Sequence, residues 1–522
     1  MERAPAGKVT YVSLSADDPA VNAAFDEAIA TVRSRLGRTW PLHIGGAPRE
    51  AAATDDSVSP ADTRVVVARV ARGVAGDVDD AVEAARTAFP TWSRIPWPRR
   101  AALLEKAADL IRERRYELAA WMIFEMGKNR LEALGEIEET ADLISYYNAQ
   151  MRANDGFVRQ MGRLVPTDDN ISALRPYGVW AVIAPWNFPY ALMGAPVAAA
   201  LLTGNTVVMK PSSETPLSGI LLAELFTEAG LPAGTVSCVT GSGREVGNGL
   251  ARHRHVQGVT FTGSFDVGFN QIFQRFSTDY PKPCIVEMGG KNPAIVMDSA
   301  DLDRAALGVY RSAFGMNGHK CSACSRLYVH EAVADELLAR LDSKLGDTVI
   351  GDPLVKETFL GPLATRASFE DFQRFIGLAA GHVRAGGGVL ASGERAHGHF
   401  VQPAIVDGLP RDHQLMRDEL FVPILAVQRV KSLDEALTQA NDTRFGLTAG
   451  IFTQKQAEID AFLDRIEAGV VYVNRAAGAT TGAWPGVQPF GGWKGSGSTG
   501  KNIGGHYTLP LYLREQSRTV SS

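Results

Sequence analysis

Residues 176–209 constrain the fold more than any other part of the chain. This run carries no charged residue, and on length alone it would suit a membrane span. Yet Pro185, Pro189 and Pro196, with Asn187, Asn205 and several glycines, break any continuous helix. Its apolar ends, V-W-A-V-I-A and T-V-V-M-K, have the β-branched content of buried strands, so it reads as strand, loop, helix and strand inside a large core. The alternation continues with a helix over 222–229, a strand T-V-S-C-V-T, and G-S-G-R-E-V-G opening a further helix. Such alternation builds a parallel sheet covered on both faces, and a dinucleotide-binding fold is the natural candidate.

A second βα series starts at Glu287 with P-A-I-V-M-D and continues through a helix over 302–314, a strand R-L-Y-V, a helix over 332–345, and onward to Thr453. Ahead of both series, the chain to about Ser15 reads as a loose arm. Phe25, Ile29, Val32 and Leu36 recur at helical spacing, P-L-H-I-G-G is strand-like, residues 51–61 read as a loop, and 65–70 as a strand. Helices are expected after Gly76 and over 98–114, 116–125 and 130–151, mostly as plain scaffold. Residues 156–177 read as a hairpin with T-D-D-N as its turn. The Gly-rich tail from Pro489 ends in a plausible last strand, Y-T-L-P-L-Y-L-R-E-Q-S-R-T.

At 522 residues, 45% hydrophobic and 21% charged, the chain suits a soluble protein of two or more domains. A net charge of −5 without long basic runs gives no electrostatic footprint for nucleic acid or an anionic membrane surface. The four cysteines, Cys238, Cys284, Cys321 and Cys324, are too few and too clustered to staple such a chain, which fits a reducing compartment. The start, M-E-R-A-P-A-G-K, lacks a secretory apolar region, so a cytoplasmic location is expected. No metal site is expected.

The chemistry centres on F-G-M-N-G-H-K-C-S-A-C-S-R. Cys321 follows a Gly-rich bend and is flanked by His319 and Lys320, where backbone N–H groups and a nearby cation could favour a nucleophilic thiolate. Upstream lie P-W-N-F-P, F-T-G-S and E-M-G-G-K-N-P, and downstream E-L-F-V-P. In order and spacing this set resembles the motifs of the aldehyde dehydrogenase superfamily over nearly the whole chain.

The resemblance implies an α/β fold: a Rossmann-type dinucleotide-binding domain (37–155 and 176–288), an α/β catalytic domain (289–490) and a small β oligomerisation element (156–175 and 491–522), after an N-terminal arm and helix (1–36). It implies NAD or NADP as cofactor, an aldehyde as substrate and a homodimer or higher homo-oligomer. Cys321 becomes the nucleophile that forms a thiohemiacetal and then a thioester, Asn187 an oxyanion donor, and Glu287 the base that activates water, with a pKa raised by burial. The expected cofactor residues are Ala184, Pro185, Trp186, Lys210, Ser213, Gly243, Gly247, Phe261, Gly263, Ser264, Met288, Gly289, Glu419 and Phe421. Ser213 stands where a carboxylate would grip the ribose and repel a 2′-phosphate. A serine does neither strongly.

The tail V-N-R-A-A-G-A-T-T-G-A-W-P-G-V-Q-P-F-G-G-W-K-G-S-G and K-C-S-A are most similar to the pyrroline-5-carboxylate (glutamate-γ-semialdehyde) dehydrogenase branch. That implies substrate contacts from Phe188, Ser322, Gly482, Ala483 and Phe490, and a place in proline catabolism. Three departures stand out: His319 where the branch usually has glutamine, G-W-K for G-F-K, and Trp484 where a smaller aliphatic is more familiar. The alternatives are another ω-semialdehyde, such as succinic semialdehyde, another aliphatic or aromatic aldehyde, or a catalytically silent protein on this scaffold.

Overall fold

The computed structural model describes residues 10, 15, 17–277, 280–477, 484–501 and 503–522. Two seven-stranded sheets organise them. The first takes β1 (Leu42–Ile44), β2 (Ala47–Arg49), β3 (Val179–Ile183), β4 (Thr206–Lys210), β5 (Val236–Cys238), β6 (Val256–Thr262) and β7 (Cys284–Glu287), in the order β7-β6-β3-β4-β5-β1-β2. Strands β3 to β7 are parallel, and β1 joins antiparallel to β5. Every residue of β3 and β4 is buried, which is why the sequence shows continuous apolar runs there rather than alternation. After β5 the chain returns to the far side of β3 to form β6. The strand order therefore reverses between β3 and β6, and open α/β sheets bind ligands beyond the strand ends at such a reversal.

Both faces of this sheet are covered. Trp180 and Val182 pack into one core with α1 (Pro19–Arg33), α3 (Trp97–Glu113), α4 (Arg115–Met126), α5 (Arg130–Ala153), α6 (Ala191–Leu202) and α7 (Pro216–Glu228). Val179, Ala181 and Ile183, pointing the other way along the same strand, pack against Val78, Ala81, Val82 and Ala85 of α2 (Ala75–Trp92). The uncharged run is thus two strands and one buried helix. Among the described residues no helix is long and apolar enough to cross a membrane.

Met288 to Lys291 carries the chain into the second sheet. Its strands are β8 (Asn292–Val296), β9 (Cys324–His330), β10 (Val383–Gly386), β11 (Ala404–Asp407), β12 (Ile424–Val430), β13 (Thr448–Phe452) and β14 (Val470–Val473), in the order β10-β11-β12-β9-β8-β13-β14, parallel except for β10. Helix α8 (Leu302–Phe314), capped by Asp301, delivers the chain to the bend before Cys321. A separate three-stranded sheet pairs Asp168–Pro176 with Leu513–Ser521 on one side and Val158–Gln160 on the other.

Three local readings are corrected. Within residues 51–61, Thr54–Val58 is a strand paired antiparallel with Val66–Ala71; two adjacent aspartates mask its propensity, and the ladder supplies what propensity lacks. The hairpin turn lies before T-D-D-N, because Asp168 and Asp169 already pair with Ser521 and Val520. The last strand begins only at Leu513, after a tight helical turn over Leu509–Tyr512 that contains Pro510. Most of the N-terminal arm lies outside the described residues.

Candidate active site

Beyond the ends of β3, β4, β6 and β7 lies a groove of about 720 Å³, and every residue expected at a cofactor lines it. Ala184, Pro185 and Trp186 follow β3. Lys210 ends β4, with Ser213 just beyond it. Gly243 and Gly247 are the two ends of the helical segment after β5, Phe261 sits on β6, and Gly263, Ser264, Met288 and Gly289 follow β6 and β7. Glu419 and Phe421 reach in from the second sheet's side. The sequence reading missed Arg244, Gln271 and Asn248 on the same walls.

The groove fits a dinucleotide. Strand-to-helix turns present backbone N–H groups to a pyrophosphate, and Lys210 and the exposed Arg244 add cationic side chains. Burial lowers Lys210 to about 8, and its Nζ donates to Pro211 O at 2.7 Å. The Ser213 hydroxyl donates to Gly241 O at 3.1 Å. At the inner end the Glu419 carboxylate accepts from Gly290 N–H at 3.1 Å. A Cβ on Gly289 would fall 1.9 Å from that carboxylate, so only glycine allows this approach.

Cys321 lines the groove and also a second, smaller pocket of about 100 Å³. Phe188, Ser322 and Phe490 line this pocket as expected, whereas Gly482 and Ala483 lie outside the described residues. Helix α5, read as scaffold, contributes Glu132, Glu139 and Leu143. Their spacings of seven and four place all three on one helix face. That pattern was legible, but nothing in it says which partner the face meets. Lys320, Leu192, Met316 and Trp484 complete much of the wall.

The nucleophile loop is held under strain. Met316 and Asn317 both have positive φ, 52° and 54°, a sparsely populated region for such residues. Met316 N–H donates to Glu132 Oε1 at 2.9 Å, and Asn317 Nδ2 donates to the carbonyls of Gly361 and Pro362 at 3.1 and 3.0 Å. Asn292, unmarked by the sequence reading, donates to Cys321 O at 2.7 Å and Ala323 O at 2.9 Å. Cys321 Sγ lies 4.0 Å from Glu287 Oε1. The Asn187 amide, almost fully buried, donates to His319 O at 3.1 Å, which ties it to the same loop.

Burial pushes the Glu287 carboxyl from 4.5 up to about 8, as expected. The flanking cation is outweighed by burial and by the neighbouring carboxylates. Burial and the nearby Glu287 and Glu419 hold the Cys321 thiol well above its ordinary value. Lys320 Nζ donates to Arg311 O at 3.3 Å and interacts most strongly with Glu132 and more weakly with Cys321. His319 is neutral: burial lowers it to about 4, and its ring bonds both Phe421 O and the Ala364 N–H. The thiol therefore rests protonated, and the adjacent Glu287 becomes its proton acceptor as the carboxyl ionises near pH 8. Cys324 is buried on β9, donates to Arg326 O at 3.5 Å, and is pushed up to about 12.

A family model described as the aldehyde dehydrogenase family matches residues 48–517. The chain belongs to the aldehyde dehydrogenase family. Within it, the chain is 38% identical over 509 residues to a 1-pyrroline-5-carboxylate dehydrogenase of Geobacillus thermodenitrificans, covering 95% of this chain and 96% of that one. A solved 1-pyrroline-5-carboxylate dehydrogenase from Thermus with bound NAD is 35% identical, with a TM-score of 0.92 over 97% of each chain. A solved 3,6-anhydro-L-galactose dehydrogenase in complex with NAP is 34% identical, with a TM-score of 0.86 over 92% of this chain and 100% of that one. Dehydrogenases at this level of identity thus carry more than one substrate name, and the pocket has to decide among them.

Proposed function

We propose that this chain oxidises L-glutamate γ-semialdehyde, the open form of 1-pyrroline-5-carboxylate, to glutamate with NAD or NADP. The observation that carries this reading is the position of Cys321 in the walls of both cavities, where one sulfur meets a dinucleotide-sized groove and a small pocket. The names of the Geobacillus and Thermus relatives support the substrate. So does the pocket's chemistry: Phe188, Leu192 and Phe490 suit a methylene chain, while Ser322, Lys320, Glu132 and Glu139 suit a zwitterionic end.

In the reaction, Glu287 takes the Cys321 thiol proton as the sulfur adds to the aldehyde carbon, giving a thiohemiacetal. The Asn187 side chain uses one N–H on His319 O and has a second to donate to the developing oxyanion, together with the Cys321 backbone N–H. A dinucleotide held in the groove supplies the hydride acceptor that makes oxidation to the thioester possible. Once Glu287 has released that proton to solvent, it takes a proton from the water that attacks the thioester carbon, expelling the Cys321 sulfur and freeing the carboxylate product. A base of pKa about 8 is well matched to this work.

Residues 37–155 with 176–288 are assigned to dinucleotide binding and 289–490 to catalysis. Residues 156–175 with 491–522 are assigned to pairing with a second copy, for which the edge strand Leu513–Ser521 offers an open ladder. The cytoplasm is the assigned compartment. The test of the substrate is a steady-state panel. Glutamate γ-semialdehyde should exceed succinic semialdehyde and propanal in kcat/KM by roughly tenfold or more, the value of one lost bond to a charged group. A reversed ranking would refute the substrate and leave the dehydrogenase chemistry standing.

A further inference from the structure

Trp484 lines the small pocket together with Leu143, Pro485 and Ile503, and is only 6% exposed. Its indole N–H donates to Asp142 Oδ2 at 2.8 Å. The other oxygen of Asp142 accepts from the Arg112 guanidinium at 3.1 Å, and the same Arg112 nitrogen also reaches Ser145 Oγ at 3.1 Å. The indole is therefore fastened to α5 by a charged acceptor that α3 holds in turn. The chain around it is packed just as closely. A Cβ on Gly486 would fall 2.8 Å from the Tyr146 ring, and one on Gly504 would fall 3.4 Å from Pro485 Cα and 3.5 Å from Leu143 Cδ2.

A large flat ring with its N–H satisfied and its neighbours in contact has little freedom to swing aside. It occupies the wall of a pocket that holds about 100 Å³. We propose that Trp484, clamped by Asp142, is the end-stop of the aldehyde pocket: it restricts the enzyme to short semialdehydes and excludes long unbranched or aromatic ones. The inference rests on the proposed function only in taking Cys321 as the attacking atom. It makes Trp484 a determinant of specificity and Asp142 a positioning residue.

The experiment is the ratio of kcat/KM for octanal to that for propanal. Glutamate γ-semialdehyde is run alongside, and folding is checked by thermal melting. W484A should raise the ratio about tenfold or more through a lower KM for octanal, since each methylene newly admitted to an apolar pocket is worth roughly tenfold or more in specificity. D142L, which leaves the indole in place but unfastened, should raise it by a smaller factor. D142N keeps an acceptor oxygen and should return the wild-type ratio. If W484A fails to fold, W484F carries the test, with the same rise expected to a lesser degree. An unchanged ratio in folded W484A, or in both W484F and D142L, overturns the proposal. Poor turnover of glutamate γ-semialdehyde by the wild type would instead count against the substrate reading alone, because the octanal-to-propanal ratio does not depend on it.

Discussion

The two cavities that meet at Cys321 are built in opposite ways. The groove is assembled from the ends of neighbouring strands of one sheet, with Gly243, Gly247, Gly263 and Gly289 in its walls. The small pocket draws on α5, the P-W-N-F-P loop, the nucleophile loop and the C-terminal tail, four segments scattered between Glu132 and Gly504. Backbone geometry tolerates sequence change as long as glycines and strand ends persist. A pocket of converging side chains changes with every substitution. The groove is accordingly the part a whole family can share, and the pocket is where its members part company.

Removing the atom common to both cavities should have the largest effect. Cys321→Ala should lose turnover by roughly 10⁴ or more, while dinucleotide binding, followed by fluorescence quenching, stays intact. Appreciable dehydrogenase activity in that variant would dissolve the link between the cavities.

Glu287→Gln sharpens the comparison in time, because it leaves both cavities in place and removes only the buried base. Its steady-state kcat should fall by about 10² to 10⁴. The sign of the pH dependence follows from burial. The folded carboxyl titrates at about 8 rather than 4.5, so the neutral acid is favoured at neutral pH and the base form accumulates as pH rises. Wild-type kcat should therefore climb through pH 8, and that limb should be absent in Glu287→Gln. A limb unchanged by the substitution would assign it to another group.

The smallest effect is expected in the groove. Ser213→Glu introduces a carboxylate into the groove wall, and should lower kcat/KM with NADP by roughly tenfold or more through repulsion of the 2′-phosphate. Use of NAD should change little. Equal losses with both dinucleotides would place the 2′ position elsewhere.

This contrast also explains what the sequence could and could not tell. The strand runs around Val182 and Val208 and the turns at Gly243 and Ser264 are local, so the groove was readable residue by residue. Cys321, Glu287 and Asn187 were legible because each sits in a distinctive short motif. Glu132 and Glu139 were not, since a glutamate on a long helix looks the same whether it faces water or a pocket. The weight of Lys320 could not be read for a related reason. Sequence places the cation beside the thiol, but burial and the neighbouring Glu132 decide how much of its charge acts there. The strand Thr54–Val58 was missed because its pairing partner, not its composition, makes it a strand.

The central claim is that one sulfur serves both cavities, carrying the acyl group formed in the pocket by oxidation at the groove. It is tested most directly by mixing the wild type with glutamate γ-semialdehyde and NAD, quenching in acid within the first turnover, and analysing the peptides by mass spectrometry. The account predicts a glutamyl adduct that appears with the first NADH and is confined to the peptide that carries Cys321. An equivalent of NADH with no adduct on Cys321, or with the adduct on Cys324 or another residue, would contradict it.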